Sequence, residues 1–169
     1  MKPQLITLLS LAAMLAVACH NTPVIEVADQ KGDPLKENMM NANRYIAKSE
    51  EQQIDSYVAR RGWPMTEIGS GARLWEMERG KGRQIDYEDT VKVTYRLEAI
   101  NGAVIYEQKA ETFVAGRGQT VCGLDVAVRH LHHGSRARLI LPSEQGYGVA
   151  GDGDRVPTRA ILIYELKVE

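Results

Sequence analysis

The segment covering residues 116–148 constrains the fold of this chain more than any other part. Four apolar residues recur in it at helical spacing and predict a short helix with one buried face: Leu124, Ala127, Val128 and Leu131. Gly134 follows, at the position where a helix often ends in a left-handed turn. Residues 136–141 alternate and then become fully apolar, which predicts a strand, and Pro142 ends it because proline cannot donate to a sheet ladder. The segment therefore predicts one helix packed on a sheet, followed by a glycine-flanked loop that presents Tyr147.

Patterns of period two predict an antiparallel sheet around that helix. Residues 90–100 form the clearest half-buried strand, because polar residues alternate in them with Val91, Val93, Tyr95, Leu97 and Ala99. Asn101-Gly102 is a strong tight-turn signal and predicts a hairpin into residues 104–106. Further strands are predicted at residues 74–77, 111–115 and 160–168. The predicted fold class is α+β, an antiparallel sheet curved around one short helix and preceded by an N-terminal helix.

Several motifs of residues 116–148 occur in a fixed order. They are Gly116-x-Gly118-Gln119-Thr120-Val121-x-Gly123-Leu124, Gly134-Ser135, Leu141-Pro142-Ser143 and Tyr147-Gly148. In residue type, order and spacing they resemble the FKBP-type peptidyl-prolyl isomerases, and the likeness covers about residues 74–169. Linked motifs are far more specific than any one alone. The resemblance implies an FKBP-like fold and a peptidyl-prolyl cis-trans isomerase (rotamase) that acts on prolyl-containing polypeptides without a cofactor.

The resemblance also implies roles for individual residues. Tyr147 matches a hydroxyl that donates to the substrate carbonyl, and the backbone N–H of Val121 is the second donor. Six residues match positions that line or border the family's proline pocket: Tyr95, Ile105, Tyr106, Leu124, Val156 and Tyr164. A plain core position is the alternative for the apolar ones, because apolar residues on strands and helix faces are usually buried anyway.

The chain departs from the family pattern at several of these places. Leu124 stands where Trp is usual, and Ile105 and Glu111 stand where aromatic residues are common. Tyr106 replaces an Asp that helps many members bind and turn over, and a tyrosine cannot carry that negative charge near neutral pH. We therefore expect a wider, less aromatic and less acidic pocket. An isomerase that assists the folding of exported proteins is the first hypothesis, and a catalytically weak or inactive binding, chaperone or adaptor module is the alternative.

The N-terminus is typical of a processing signal. Lys2 precedes an apolar run over residues 5–18 that is too short and too early for a stable membrane span, and small residues lead into Cys19. Residues 15–19 resemble a bacterial lipoprotein box, with Ala16 where Leu is usual. We interpret residues 1–18 as a lipoprotein signal peptide and Cys19 as the lipid attachment site; an ordinary secretory signal is the alternative. This interpretation predicts a lipid anchor in the outer membrane, facing the periplasm.

The region between this signal and the sheet divides into two segments. Residues 19–35 have no periodicity and predict a tether, whereas residues 36–68 predict a helical segment that ends at Gly62. Asp33-Pro34 is a typical helix start. Docking of this helix on the isomerase domain (69–169), docking on a partner and a solvated helix all remain open. With the residues that follow, the helix resembles, more loosely, the gliding-motility-associated FKBP lipoproteins of Bacteroidetes.

Composition and two weak motifs exclude other functions. A net charge of −1 gives no support to nucleic-acid binding, which needs a basic face. The Gly-x-Gly-x-x-Gly pattern of residues 146–151 is separated from the preceding strand and is not followed by an apolar helix, so we reject a dinucleotide site. His130, His132 and His133 share one predicted helix end without a fourth ligand, so no metal site is predicted.

Overall fold

A helix of 28 residues, α1 (Pro34–Arg61), opens the part of the chain that the computed structural model describes, residues 34–169. It begins at Pro34, as the Asp33-Pro34 signal predicts, and it ends where Gly62 adopts a φ of +64°. The predicted signal peptide, Cys19 and the tether up to residue 33 lie outside the described residues. Residues 38–169 form one unit by their internal contacts, and the following description concerns that unit.

Six strands form one antiparallel sheet in the order β1-β2-β5-β6-β3-β4. The strands are β1 (Thr66–Gly69), β2 (Ala72–Glu78), β3 (Thr90–Ala99), β4 (Val104–Val114), β5 (Arg136–Leu141) and β6 (Leu162–Val168). Between β4 and β5 the chain forms α2 (Cys122–Val128), and after β5 it forms a short 3-10 helix, Ser143–Gln145. This arrangement confirms the predicted α+β fold with a preceding helix.

Two strands differ from their predicted extents. Residues 104–106 and 111–115 were predicted as separate strands, but the structure joins them in one strand, β4. The polar residues 107–109 interrupt the apolar pattern of β4, which is an edge strand. Its pairing with β3 also shifts in register there, between Tyr95 and Leu97. β1 begins at Thr66, so it straddles the boundary predicted between the helical segment and the isomerase domain. Its four residues are too few to show a period-two pattern.

The apolar face of the short helix is buried against one side of the sheet. Leu124, Ala127, Val128 and Leu131 are all fully buried, as predicted. The helix is shorter than predicted, however, because α2 ends at Val128 and not near Gly134, so Leu131 is buried from the turn that follows the helix. They share one core cluster with apolar residues of β3, among them Val91, Val93 and Leu97. Burying a single leucine side chain contributes about 1.5–3 kcal/mol, so this layer is a main source of stability.

The long helix packs on the opposite side of the sheet. Ile54 is fully buried in a second cluster with Ile140, Ile161 and Ile163. Side chains alternate along a strand, so Ile140 and Ile163 point away from the core that contains their neighbours Leu139 and Tyr164. Among the three possibilities left open by the sequence, the structure therefore shows that α1 docks on its own chain.

Polar and aromatic contacts strengthen this docking. The Arg73 guanidinium is nearly buried and lies 3.0 Å from Asp55 of α1 and 3.2 Å from Glu67 of β1. The Arg138 guanidinium lies 4.4 Å from the ring centre of Trp63, which follows the helix. Cation–π contacts of this kind add about 0.5–2 kcal/mol each, so the docking of α1 does not depend on the burial of Ile54 alone.

Candidate functional site

The loop that carries Tyr147 is closed by hydrogen bonds to one residue. The Ser143 carbonyl accepts from the Gly146 N–H at 3.1 Å and from the Gly148 N–H at 2.8 Å, so both neighbours of Tyr147 are tied to the start of the 3-10 helix. Gly148 has a φ of +65°, a conformation that glycine adopts without strain. Tyr147 packs, half-buried, against the main core.

A second loop brings Val121 to the start of α2. The buried Asp125 carboxylate accepts from the Gly116 N–H at 2.6 Å and from the Gly118 N–H at 3.1 Å, which fixes the turn before Val121. Val121 caps α2 with an extended backbone, and within residues 34–169 its N–H makes no hydrogen bond. The two loops are neighbours, because a Cβ atom placed on Gly123 would lie 3.0 Å from the Gln145 carbonyl oxygen.

The floor between these loops is apolar and closely packed. The predicted pocket residues Tyr95, Ile105, Leu124, Val156 and Tyr164 are each at most 8% exposed and belong to the main core cluster. The rings of Tyr95 and Tyr164 meet edge to face with 5.0 Å between their centres. The structure thus brings all of the predicted isomerase-site residues into one cluster, and Tyr106, Val121 and Tyr147 are the partly exposed residues among them.

The carboxylate of Glu111, a residue that departs from the family pattern, lies against this cluster. The Tyr95 hydroxyl donates to Glu111 at 2.6 Å, the Thr120 hydroxyl donates to its other oxygen at 3.0 Å, and the Lys109 ammonium lies 3.1 Å away. Burial alone would raise the pKa of Glu111, but these partners outweigh burial and lower its pKa below the ordinary value. Glu111 is therefore ionised at neutral pH.

Tyr106 makes a second tyrosine–carboxylate contact. Its hydroxyl donates to Asp152 at 3.1 Å, and burial, followed by this bond, raises its pKa. The other oxygen of Asp152 accepts from the backbone N–H groups of residues 154, 155 and 156 at 2.7–2.9 Å, and the first of these bonds is the main reason that the pKa of Asp152 is lowered. The Lys109 ammonium and the Arg155 guanidinium lie 4.8 and 5.4 Å from the Tyr106 ring centre.

The deepest hydroxyl of the cluster belongs to Tyr164. It is buried without a hydrogen bond of ordinary geometry among the described residues. Burial is the main reason that its pKa is raised, and the nearby Tyr147 hydroxyl adds to the effect.

Neither a metal cluster nor a membrane span is found in the part of the chain that the structure describes. Residues 34–169 contain no group of three or more His, Cys, Asp or Glu side chains that is able to hold a metal ion. His132 instead lies 2.8 Å from the Arg79 guanidinium and 3.5 Å from the Glu76 carboxylate. No helix within these residues is long and apolar enough to cross a bilayer.

The sequence matches a protein-family description over more than half of its length. The description of FKBP-type peptidyl-prolyl cis-trans isomerases fits residues 81–169, which contain every predicted site residue except Cys19. The chain belongs to the FKBP-type peptidyl-prolyl isomerase family. This confirms the family resemblance carried by residues 116–148.

Individual FKBP-type proteins support the same assignment. A probable FKBP-type 25 kDa peptidyl-prolyl cis-trans isomerase of Pseudomonas aeruginosa is 29% identical over 130 residues, which are 77% of this chain and 56% of that protein. An FK506-binding protein of Neisseria meningitidis serogroup B is 28% identical over 102 residues, 58% of this chain and 94% of that protein. This chain therefore spans little more than half of the length of the Pseudomonas relative.

A solved structure shares the fold. The crystal structure of a peptidyl-prolyl cis-trans isomerase from Pseudomonas syringae pv. tomato superimposes with a TM-score of 0.61 at 24% identity, covering 74% of this chain and 92% of that one. Within this FKBP-type fold, the sequence predicted a less acidic site because of Tyr106. The structure instead places two carboxylates, Glu111 and Asp152, against the site tyrosines. A Lys109-x-Glu111 pattern on the face shared with Phe113 is the sequence signal that would have indicated the first of them.

Proposed function

We propose that this protein catalyses the cis-trans isomerisation of X–Pro bonds in exported polypeptides and so assists their folding. Amide resonance opposes this rotation with a barrier of about 18–20 kcal/mol. The twisted amide has lost that resonance and is less polar than the planar form. A site that is apolar and also offers fixed donors to the carbonyl oxygen favours the twisted form and lowers the barrier without acid, base or metal.

One observation carries the proposal. The Val121 N–H makes no hydrogen bond within residues 34–169, and the partly exposed Tyr147 hydroxyl makes none of ordinary geometry with a described residue. Both groups border the apolar floor formed by Tyr95, Ile105 and Val156. Donors without a hydrogen bond of ordinary geometry, beside a buried apolar surface, suit a prolyl ring and its preceding carbonyl.

The second candidate is a module that binds prolyl peptides without efficient turnover. The low exposure of the floor residues favours it, because a proline ring reaches Leu124 or Tyr164 only if neighbouring side chains move. A protease-coupled assay on a short X–Pro peptide separates the two functions. Isomerisation above the uncatalysed rate supports the enzyme; binding of the same peptide, detected by NMR shifts, without rate acceleration supports the module.

We further propose that the protein acts at the periplasmic face of a bacterial outer membrane, anchored through a lipid on Cys19. The apolar run and small residues before Cys19 support this placement. Changing Cys19 to Ser should move the protein from the membrane fraction to the soluble fraction, because the lipid would be lost. Membrane association that is unchanged in this variant would contradict the anchor.

A further inference from the structure

A buried carboxylate of the N-terminal helix contacts the loop that presents Tyr147. Glu50 of α1 is only 6% exposed. One of its oxygens accepts from the Ser143 N–H at 2.8 Å, and the other accepts from the Ser143 hydroxyl at 2.7 Å. A carboxylate is costly to bury unless its oxygens are paired, and here both are paired with a single residue. Glu50 and Ser143 therefore form a fixed unit although 93 residues separate them.

The hydrogen bonds of Ser143 connect Glu50 to the loop that carries Tyr147. Its N–H and hydroxyl are held by Glu50, while its carbonyl accepts from the N–H groups of Gly146 and Gly148. A continuous set of hydrogen bonds thus runs from α1 through one serine to the two neighbours of Tyr147. Displacement of Ser143 would shift both anchors of the Tyr147 backbone together.

A groove borders the 3-10 helix on the side that faces α1. This groove of about 540 Å³ lies between α1 and the turn, lined by Ala47, Ile54, Gly71, Pro142 and Gln145. The groove is open to solvent, so on this side the turn is not closely packed against α1. The Glu50–Ser143 hydrogen bonds are the directional contacts that cross it.

We propose that Glu50 is a positioning residue that keeps the Tyr147 hydroxyl where it is able to donate to the substrate carbonyl. Glu50 lies outside residues 81–169, the part that matches the family, so α1 supplies a structural element of the site from beyond the isomerase region. The catalytic part of this inference rests on the proposed isomerase function. The structural part concerns only the mobility of the turn and is measured without activity.

Hydrogen exchange of individual backbone amides tests the structural part in the full chain. Glu50→Gln retains one acceptor oxygen and loses the other, so the amides of Gly146 and Gly148 should exchange about three- to tenfold faster than in the wild type. Ser143→Ala removes only the hydroxyl bond and should have a smaller effect in the same direction. Glu51→Gln is the matched control, because Glu51 is the adjacent, exposed carboxylate of the same helix. Equal exchange in Glu50→Gln and Glu51→Gln would overturn the inference.

A double-mutant cycle tests the catalytic part. Glu50→Gln should lower kcat/KM on an X–Pro peptide about three- to tenfold, whereas in a Tyr147→Phe background it should have less than a twofold effect. A general loss of stability would lower activity equally in both backgrounds, and that result would contradict the inference. An inactive wild type would instead refute the isomerase proposal, and amide exchange would still decide whether Glu50 holds the turn.

Discussion

The Tyr95 hydroxyl donates to the Glu111 carboxylate at 2.6 Å, across the paired strands β3 and β4. Glu111 pairs with Val93, so it lies diagonally across from Tyr95 on the same face of the sheet. Lys109 lies directly opposite Tyr95, and its ammonium completes the cluster. The edge strand β4 therefore places the Glu111 carboxylate in the site, and Lys109, two residues earlier on the same strand, balances its negative charge.

Replacing Glu111 by Gln should lower the free energy of unfolding at neutral pH by about 1–2 kcal/mol, because charge-assisted hydrogen bonds from Tyr95 and Thr120 are weakened. The pKa of Glu111 is lowered in the folded state, so its contribution is present above the ordinary value of 4.5 and is lost as pH falls through the lower folded value. Urea unfolding at several pH values should show the full difference at pH 7 and a progressively smaller one as the pH falls below 4.5. Glu107→Gln, an exposed change on the same strand, is the control. A difference that grows on acidification would contradict this account.

Replacing Ile54 by Ala should destabilise the protein by about 2–5 kcal/mol, because it leaves a cavity between α1 and the sheet. Thermal unfolding should show a fall in Tm of roughly 6–15 °C. Tyr45→Ala changes a residue of the same helix that is 77% exposed, and it should leave Tm nearly unchanged. Equal melting temperatures for Ile54→Ala and the wild type would mean that α1 is only a solvated spacer. The same reasoning predicts a large loss of stability for a chain that begins near Ile68.

Replacing Tyr147 by Phe should keep the fold and lower kcat/KM several-fold to tenfold, because a lost hydrogen bond is worth about 1–1.5 kcal/mol. Tyr45→Phe removes an exposed hydroxyl far along α1 and serves as the control. Rates equal to the uncatalysed one in all of these proteins, together with retained peptide binding, would favour the binding module.

Replacing Asp125 by Asn should loosen the loop that leads to Val121, because an amide has one acceptor oxygen and two N–H groups require partners there. We expect a loss of about 1–3 kcal/mol in unfolding free energy, since a buried backbone donor is left unpaired. Peptide assays well below the melting temperature should also show lower kcat/KM. A variant that loses stability but keeps full activity would show that the loop geometry does not matter for catalysis.

The sequence predicted the buried faces of the helix and strands better than it predicted contacts between residues that are distant in sequence. Polar and apolar residues alternate over residues 90–100, and Leu124 and Leu131 recur at helical spacing. These patterns predicted which side chains of β3 and of residues 124–131 face the core, and both predictions are confirmed. Docking of α1 could not be decided, because Ile54 is the only fully buried apolar side chain of that helix and one residue forms no stripe. The contact between Glu50 and Ser143 joins residues far apart in sequence, and no local pattern encodes it.

The sheet order also has a consequence for how the chain is made. β6 is the last strand in sequence, yet it lies between β5 and β3 and joins the two halves of the sheet. The two halves are therefore able to pair only after β6 has been synthesised, and strand pairs this distant in sequence form slowly. Until then β3 and β5 each lack the strand that lies between them, and such unpaired strand edges favour aggregation of partly folded chains. A protein proposed to assist the folding of others would thus be a late folder itself.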